Sequence, residues 1–156
     1  MTDPISDRLI QLGLSLPDIP TPSANYLPYI VDGLTVYLAG QINELDGKPT
    51  IVGKIPSDHT IEDGQKASRV AALNLLACLR AACGGDIDRV DRCLGLRGFV
   101  NADPDFDSVP LVVNGASNLF VEIFGDAGRH VRTAIGVATL PRNGVVEIDA
   151  IFRLKA

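Results

Sequence analysis

The chain has 156 residues, 46% apolar and 21% charged, which suits one folded domain with a full hydrophobic core and excludes a disordered chain. Its net charge is −5 and its basic residues are scattered, so nucleic acid is an unfavoured partner: general binders carry a basic surplus or stripe. No apolar run is long enough to span a bilayer, and Met1-Thr2-Asp3-Pro4 lacks the basic start and apolar stretch of a signal peptide, so a cytoplasmic protein with no membrane partner is expected.

The first predicted element is a helix over residues 3–12, capped by Thr2 or Asp3, with Pro4 in its first turn and Gly13 at its end. Residues 16–28 hold four prolines and should run extended. Two apolar runs around Asp32-Gly33 predict a hairpin, residues 29–31 before the turn and 34–38 after it, with Gly40-Gln41 closing the second strand. Asp46-Gly47 marks another turn, and residues 50–52 read as a short strand.

The clearest helix covers residues 61–82. Thr60 caps it, Glu62 and Asp63 complement its dipole, and Ala67, Val70, Ala71, Asn74, Leu75, Cys78, Leu79 and Ala82 recur at helical spacing until Gly84-Gly85. A strand over residues 90–100 and a helix over 106–124, closed by Gly125, follow. Strands over 131–140 and 145–154 end the chain, joined by a loop with Asn143-Gly144. In the last strand Val146, Ile148, Ala150, Phe152 and Leu154 share one face and Glu147, Asp149 and Arg153 the other, the alternation of a sheet with one apolar side. The fold class expected is α+β: a two-layer sandwich, with a mixed sheet covered on one face by two long helices, plus the N-terminal helix.

Cys78, Cys83 and Cys93 are odd in number and have no CxxC spacing, which argues against a disulfide framework or a zinc site. His59 and His130 are far apart without local ligand partners, so no metal site is expected, and no Walker loop or dinucleotide fingerprint calls for a cofactor.

The stretch Gly128-Arg129-His130-Val131-Arg132-Thr133-Ala134-Ile135-Gly136-Val137-Ala138-Thr139-Leu140-Pro141, followed by Val146-Glu147-Ile148-Asp149-Ala150, resembles the signature of the Rid family, the reactive-intermediate deaminases also called YjgF or L-PSP endoribonuclease-like. Ala39-Gly40-Gln41-Ile42 resembles that family's Ser-Gly-Gln segment. Asn114-Gly115-Ala116-Ser117 and residues 25–28 resemble a longer-chain branch, with residues 1–15 as an N-terminal helical extension to a single domain over 1–156. The resemblance implies a chorismate-mutase-like fold, a homotrimer with ligand clefts between subunits, and hydrolysis of 2-imino acids or enamines to 2-oxo acids and ammonia. Family members are also labelled ribonucleases or translation inhibitors.

The resemblance further implies Arg132 as the anchor for a ligand carboxylate, assisted by Ala134, with Gly40 and Tyr29 in the cleft and Glu147 as the catalytic carboxylate that orients water. Plainer readings stand beside these: a structural salt bridge from Arg132 to Glu147 or Asp149 across an interface, an exposed strand charge at Glu147 or its pairing with a nearby Lys or Arg, and a half-buried strand aromatic at Tyr29. The tiny neighbours Ala134, Gly136 and Ala138 suggest open space beside the guanidinium. Asn114 reads as a locally bonded helix residue, Gly115 as a site of close packing or a kink, and His130 as a residue that tunes the cleft or caps a helix end. Ala39 and Ala134 replace the family's serine and cysteine, which leaves room for a second function: binding a 2-oxo acid without turnover. A hairpin of the last two strands centred near Asn143 would set Arg132 opposite residue 154 and Glu147 roughly 20 Å along. Two different chains would then supply the residues of one cleft.

Overall fold

The structure, a computed structural model, describes residues 4–156; the cap proposed at Thr2 or Asp3 lies outside them. Helix α1 spans Ile5–Gln11 and ends before Gly13, whose φ of 65° turns the chain. Residues 14–28 form no helix or strand, as the prolines require.

Strands β1 (Tyr29–Asp32) and β2 (Thr35–Ile42) make the expected hairpin, with Asp32 opposite Thr35. The turn residues are thus Gly33 and Leu34 rather than Asp32 and Gly33, because Gly33 supplies the positive φ of 59°. Asp46-Gly47 joins two short strands, β3 (Glu44–Leu45) and β4 (Lys48–Pro49). The strand expected over residues 50–52 does not form. Buried Asn43 takes over part of that backbone instead: its amide donates to Ile51 O at 2.9 Å and to Thr50 Oγ1 at 3.0 Å.

Helix α2 spans Ile61–Ala82, as its spacing predicts, with a reciprocal capping box between Thr60 and Asp63. Strand β5 runs Val90–Asn101, and α3 runs Val109–Phe124, starting three residues later than expected because Pro110 sits in its first turn. Strand β6 is Val131–Val137 and β7 is Val146–Leu154.

The five-stranded sheet has the order β1-β2-β7-β5-β6. Strands β5 and β6 are parallel, the remaining pairs antiparallel, and α2 and α3 pack against one face. This is the α+β sandwich the patterning implied. The expected β6–β7 hairpin is wrong. Strand β5 lies between them because α3 carries the chain from β5 into a parallel neighbour, and the segment between Val137 and Val146 then passes over to the far side of β5. Lys54 holds that crossing, donating to Asn101 Oδ1 at 2.6 Å and to Ala138 O.

Alternation sets the two sheet faces. Leu96, Val100, Val146, Ile148, Ala150, Phe152 and Leu154 are buried in the core with the helices. Arg97, Phe99, Glu147 and Asp149 point the other way, where Tyr37, Val131 and Ile135 are also left exposed.

Candidate functional site

The sequence-predicted residues fall into two groups on opposite faces of the sheet. Arg132 lies beside Leu96 in the parallel register, so its side chain is on the helix face. Glu147 lies beside Phe99 and Ile42, on the face without helices. One chain therefore cannot bring both to a small ligand, and the reason is the face rather than the hairpin register.

On the helix face α3 lies along one edge of the Arg132 guanidinium, and the side chain is otherwise exposed. A small residue lets that helix come close: a Cβ at Gly98 would strike Val113. Nη1 of Arg132 donates to Asn114 Oδ1 at 2.8 Å and to Ser117 Oγ at 3.2 Å, and Nη2 donates to Pro110 O at 3.4 Å. Asn114 thus bonds across to the sheet rather than locally. Asn114 and Ser117 are three apart on one helical face, a spacing that could have exposed the pair in the sequence. No carboxylate among the described residues pairs with Arg132: Asp149 is engaged by Arg97 at 2.7 Å, and Glu147 is on the far face.

Ser117 leads on to His130. His130 Nδ1 donates to Gly128 O at 2.6 Å, which places a proton on Nδ1, since a carbonyl only accepts. Nε2 lies 3.0 Å from Ser117 Oγ, so the neutral ring accepts the Ser117 O–H. Burial and, more weakly, Arg132 pull the His130 pKa down, against the Gly128 bond.

On the other face Glu147 and Gly40 share a cleft of about 190 Å³ with Thr21, Ser23, Tyr26 and Arg142. The β2–β7 register shifts between Leu38 and Gln41, and there the Glu147 carboxylate lies over Gly40, where a Cβ would stand. No hydrogen-bond donor among the described residues reaches that carboxylate. Burial first, and the charge of Asp149 second, push its pKa up.

Arg142 was missed by sequence reasoning. It has φ 56°, next to Asn143 at 58°, and donates to Glu44 and to Gly47 O at 2.7 Å. An arginine in a polar loop gives no signal of this. Tyr29, by contrast, opposes buried Leu38 and packs against the core, while Tyr26 supplies the aromatic wall of the cleft. Ala134 is half-buried against the core beside Gly98.

Among the described residues no cluster of three or more potential ligands could hold a metal. Among the described residues no helix is long and apolar enough to cross a membrane.

Residues 6–153 match the family described as YjgF/chorismate mutase-like, putative endoribonuclease. The chain belongs to the YjgF family. Among YjgF relatives, Protein TCP17 of Trypanosoma cruzi is 38% identical over 96% of this chain and 94% of its own length. The crystal structure of protein Atu1372 from Agrobacterium tumefaciens is similar with a TM-score of 0.89 and 40% identity, covering 99% of this chain and 95% of that one. A structure from Shewanella oneidensis MR-1, titled a putative endoribonuclease, has a TM-score of 0.92 and 34% identity over 97% of this chain and 100% of that one. The YjgF match spans both halves of the candidate site, the segment from Arg132 to Glu147 included.

Proposed function

We propose that this protein is a hydrolytic deaminase of 2-imino acids or enamines, releasing 2-oxo acids and ammonia, in a cytoplasmic homotrimer whose clefts join Arg132 of one subunit to Glu147 of another. The observation that carries this is the anchoring of Arg132. Its three hydrogen bonds to α3 use both hydrogens of Nη1 and one of Nη2. The Nε–H and the second Nη2 hydrogen stay unengaged among the described residues, a planar fork suited to a carboxylate.

Each remaining part has a matching task. No donor among the described residues reaches Glu147, so water or a protonated imine nitrogen can serve as its partner. Burial and the charge of Asp149 raise the pKa of Glu147, which favours a carboxyl able to hold and pass a proton. The Ala134 N–H is a candidate second donor to the carboxylate. Arg132 and Glu147 lie on opposite sheet faces, which favours a site between chains.

A second reading is favoured by Ala39 and Ala134: with neither hydroxyl nor thiol at those positions, the same cleft binds a 2-oxo acid without turnover. Endoribonuclease action is disfavoured by the net charge of −5. Ammonia and 2-oxo-acid release from 2-iminobutyrate generated in situ separates these. Acceleration that disappears in Arg132→Ala supports the deaminase. No acceleration by an intact wild-type oligomer, with 2-oxobutyrate still bound, replaces it with the binding role.

A further inference from the structure

We propose that Ser117 and His130 are positioning residues for Arg132: they fix the guanidinium edge that faces α3 and couple the affinity for a ligand carboxylate to protonation of His130. This rests on Arg132 being the carboxylate anchor.

The chain of bonds has one direction. The Gly128 carbonyl holds the proton on His130 Nδ1 at 2.6 Å, which leaves Nε2 as an acceptor in the neutral ring. Ser117 therefore spends its O–H on Nε2 at 3.0 Å, and its oxygen lone pairs face Arg132 Nη1 at 3.2 Å. A freely rotating hydroxyl would turn its proton toward the guanidinium in some rotamers and repel it. With the proton held by His130, Ser117 is an acceptor only, as Arg132 needs. Asn114 Oδ1 takes the other Nη1 hydrogen, so the α3 edge of the guanidinium is fully committed.

Protonation of His130 reverses the His130–Ser117 bond but not the Ser117–Arg132 one, since the hydroxyl oxygen has two lone pairs and accepts from both. Nε2 becomes a donor to Ser117, and two cations then flank one hydroxyl. The groups facing His130 are Ser117 and Phe120 of α3, the Gly128 carbonyl and Arg132 on β6; the ring of Phe120 stands edge-on at 5.9 Å. Arg132 is the charge that acts on it, while Asp126 and Arg129 in the preceding turn pair with each other at the surface. A carboxylate bound at Arg132 relieves the repulsion and favours the imidazolium. By linkage, protonating His130 tightens carboxylate binding to the same degree.

Two measurements test this. Calorimetry of 2-oxobutyrate binding from about pH 8 to about pH 5 compares wild type, S117A, S117T, H130Q and R132A, each checked by thermal melting. S117A should weaken binding by about fivefold and S117T should restore it to within about twofold. Wild-type affinity should rise as pH falls, and H130Q, which keeps an acceptor for Ser117 but does not titrate, should show no such rise. The second measurement needs no ligand: the Arg132 Nε–H resonance should follow the His130 titration in wild type and not in S117A. Wild-type affinity in S117A, the wild-type pH slope in H130Q, or an Arg132 resonance blind to His130 in wild type each overturns the proposal. If R132A binds as wild type does, or wild type does not bind at all, the reading of Arg132 itself falls. Loss in R132A alone leaves that reading standing and removes only this one.

Discussion

The Glu147 carboxylate occupies the position that a Cβ on Gly40 would take. The atoms in conflict are the far end of Glu147, with its Cδ and Cγ at 3.1 and 3.3 Å, so a methyl group at 40 displaces a flexible side chain and not the backbone. Gly40→Ala should therefore cost less than about 1 kcal/mol in stability. On the proposed deaminase reading, turnover should nonetheless fall about tenfold or more, since a misplaced catalytic group loses orientation steeply. Thermal melting with the iminobutyrate assay checks both. A stable variant with unchanged turnover would remove Glu147 from the reaction.

Gly115 is the opposite case. A Cβ there would collide with the Gln65 carbonyl and its backbone neighbours, where α3 crosses α2. Backbone cannot step aside as a carboxylate can. Although alanine is the better helix former by about 1 kcal/mol, Gly115→Ala should lose about 1–3 kcal/mol net through overpacking. Denaturant unfolding with an unchanged m-value reads this. A stabilised Gly115→Ala protein would show that the helices are free to separate.

These two glycines mark how far the sequence could be read. Period and caps placed α2 to the residue, because Thr60, Asp63 and the small-residue stripe all act locally. Local signals could not reveal that β5 lies between β6 and β7, since that order follows from the crossover through α3. The same holds for the site. Family resemblance picked out Arg132, Gly40 and Glu147, and the structure puts the last two in one cleft. Tyr26 and Arg142 came into view only with the chain folded, because both sit in irregular segments with no period. Asn114 was visible, but its partner lies 18 residues away on a strand, which spacing along the helix does not disclose.

The raised pKa of Glu147 makes it a source of instability at neutral pH. A carboxyl whose folded-state pKa lies above its unfolded value contributes stability below the unfolded value, and loses it as pH rises through the folded one. Burial and Asp149 are the causes, so Glu147→Gln should melt higher than wild type at pH 7. The difference should shrink as pH falls through the folded-state value and vanish below about 4.5, where both proteins are neutral at this position. Melting curves across that range test it. A variant less stable at pH 7 would mean that the charge has a favourable partner in the assembly.

All three thiols are buried and free. Cys78 and Cys93 are pushed up to about 11 and about 12, and Cys83 is raised as well, in each case mainly by desolvation. The reactive thiolate is then about one part in a thousand for Cys78 at pH 8, and about one in ten thousand for Cys93. Exposure adds a second barrier, since none of the three is more than 2% accessible. The native protein should consume no aromatic disulfide reagent over minutes at pH 8, and three equivalents once denaturant is added. Rapid labelling of one equivalent in the native state would contradict this packing. It would place a local opening at α2 or at the start of β5, the elements that bury these cysteines.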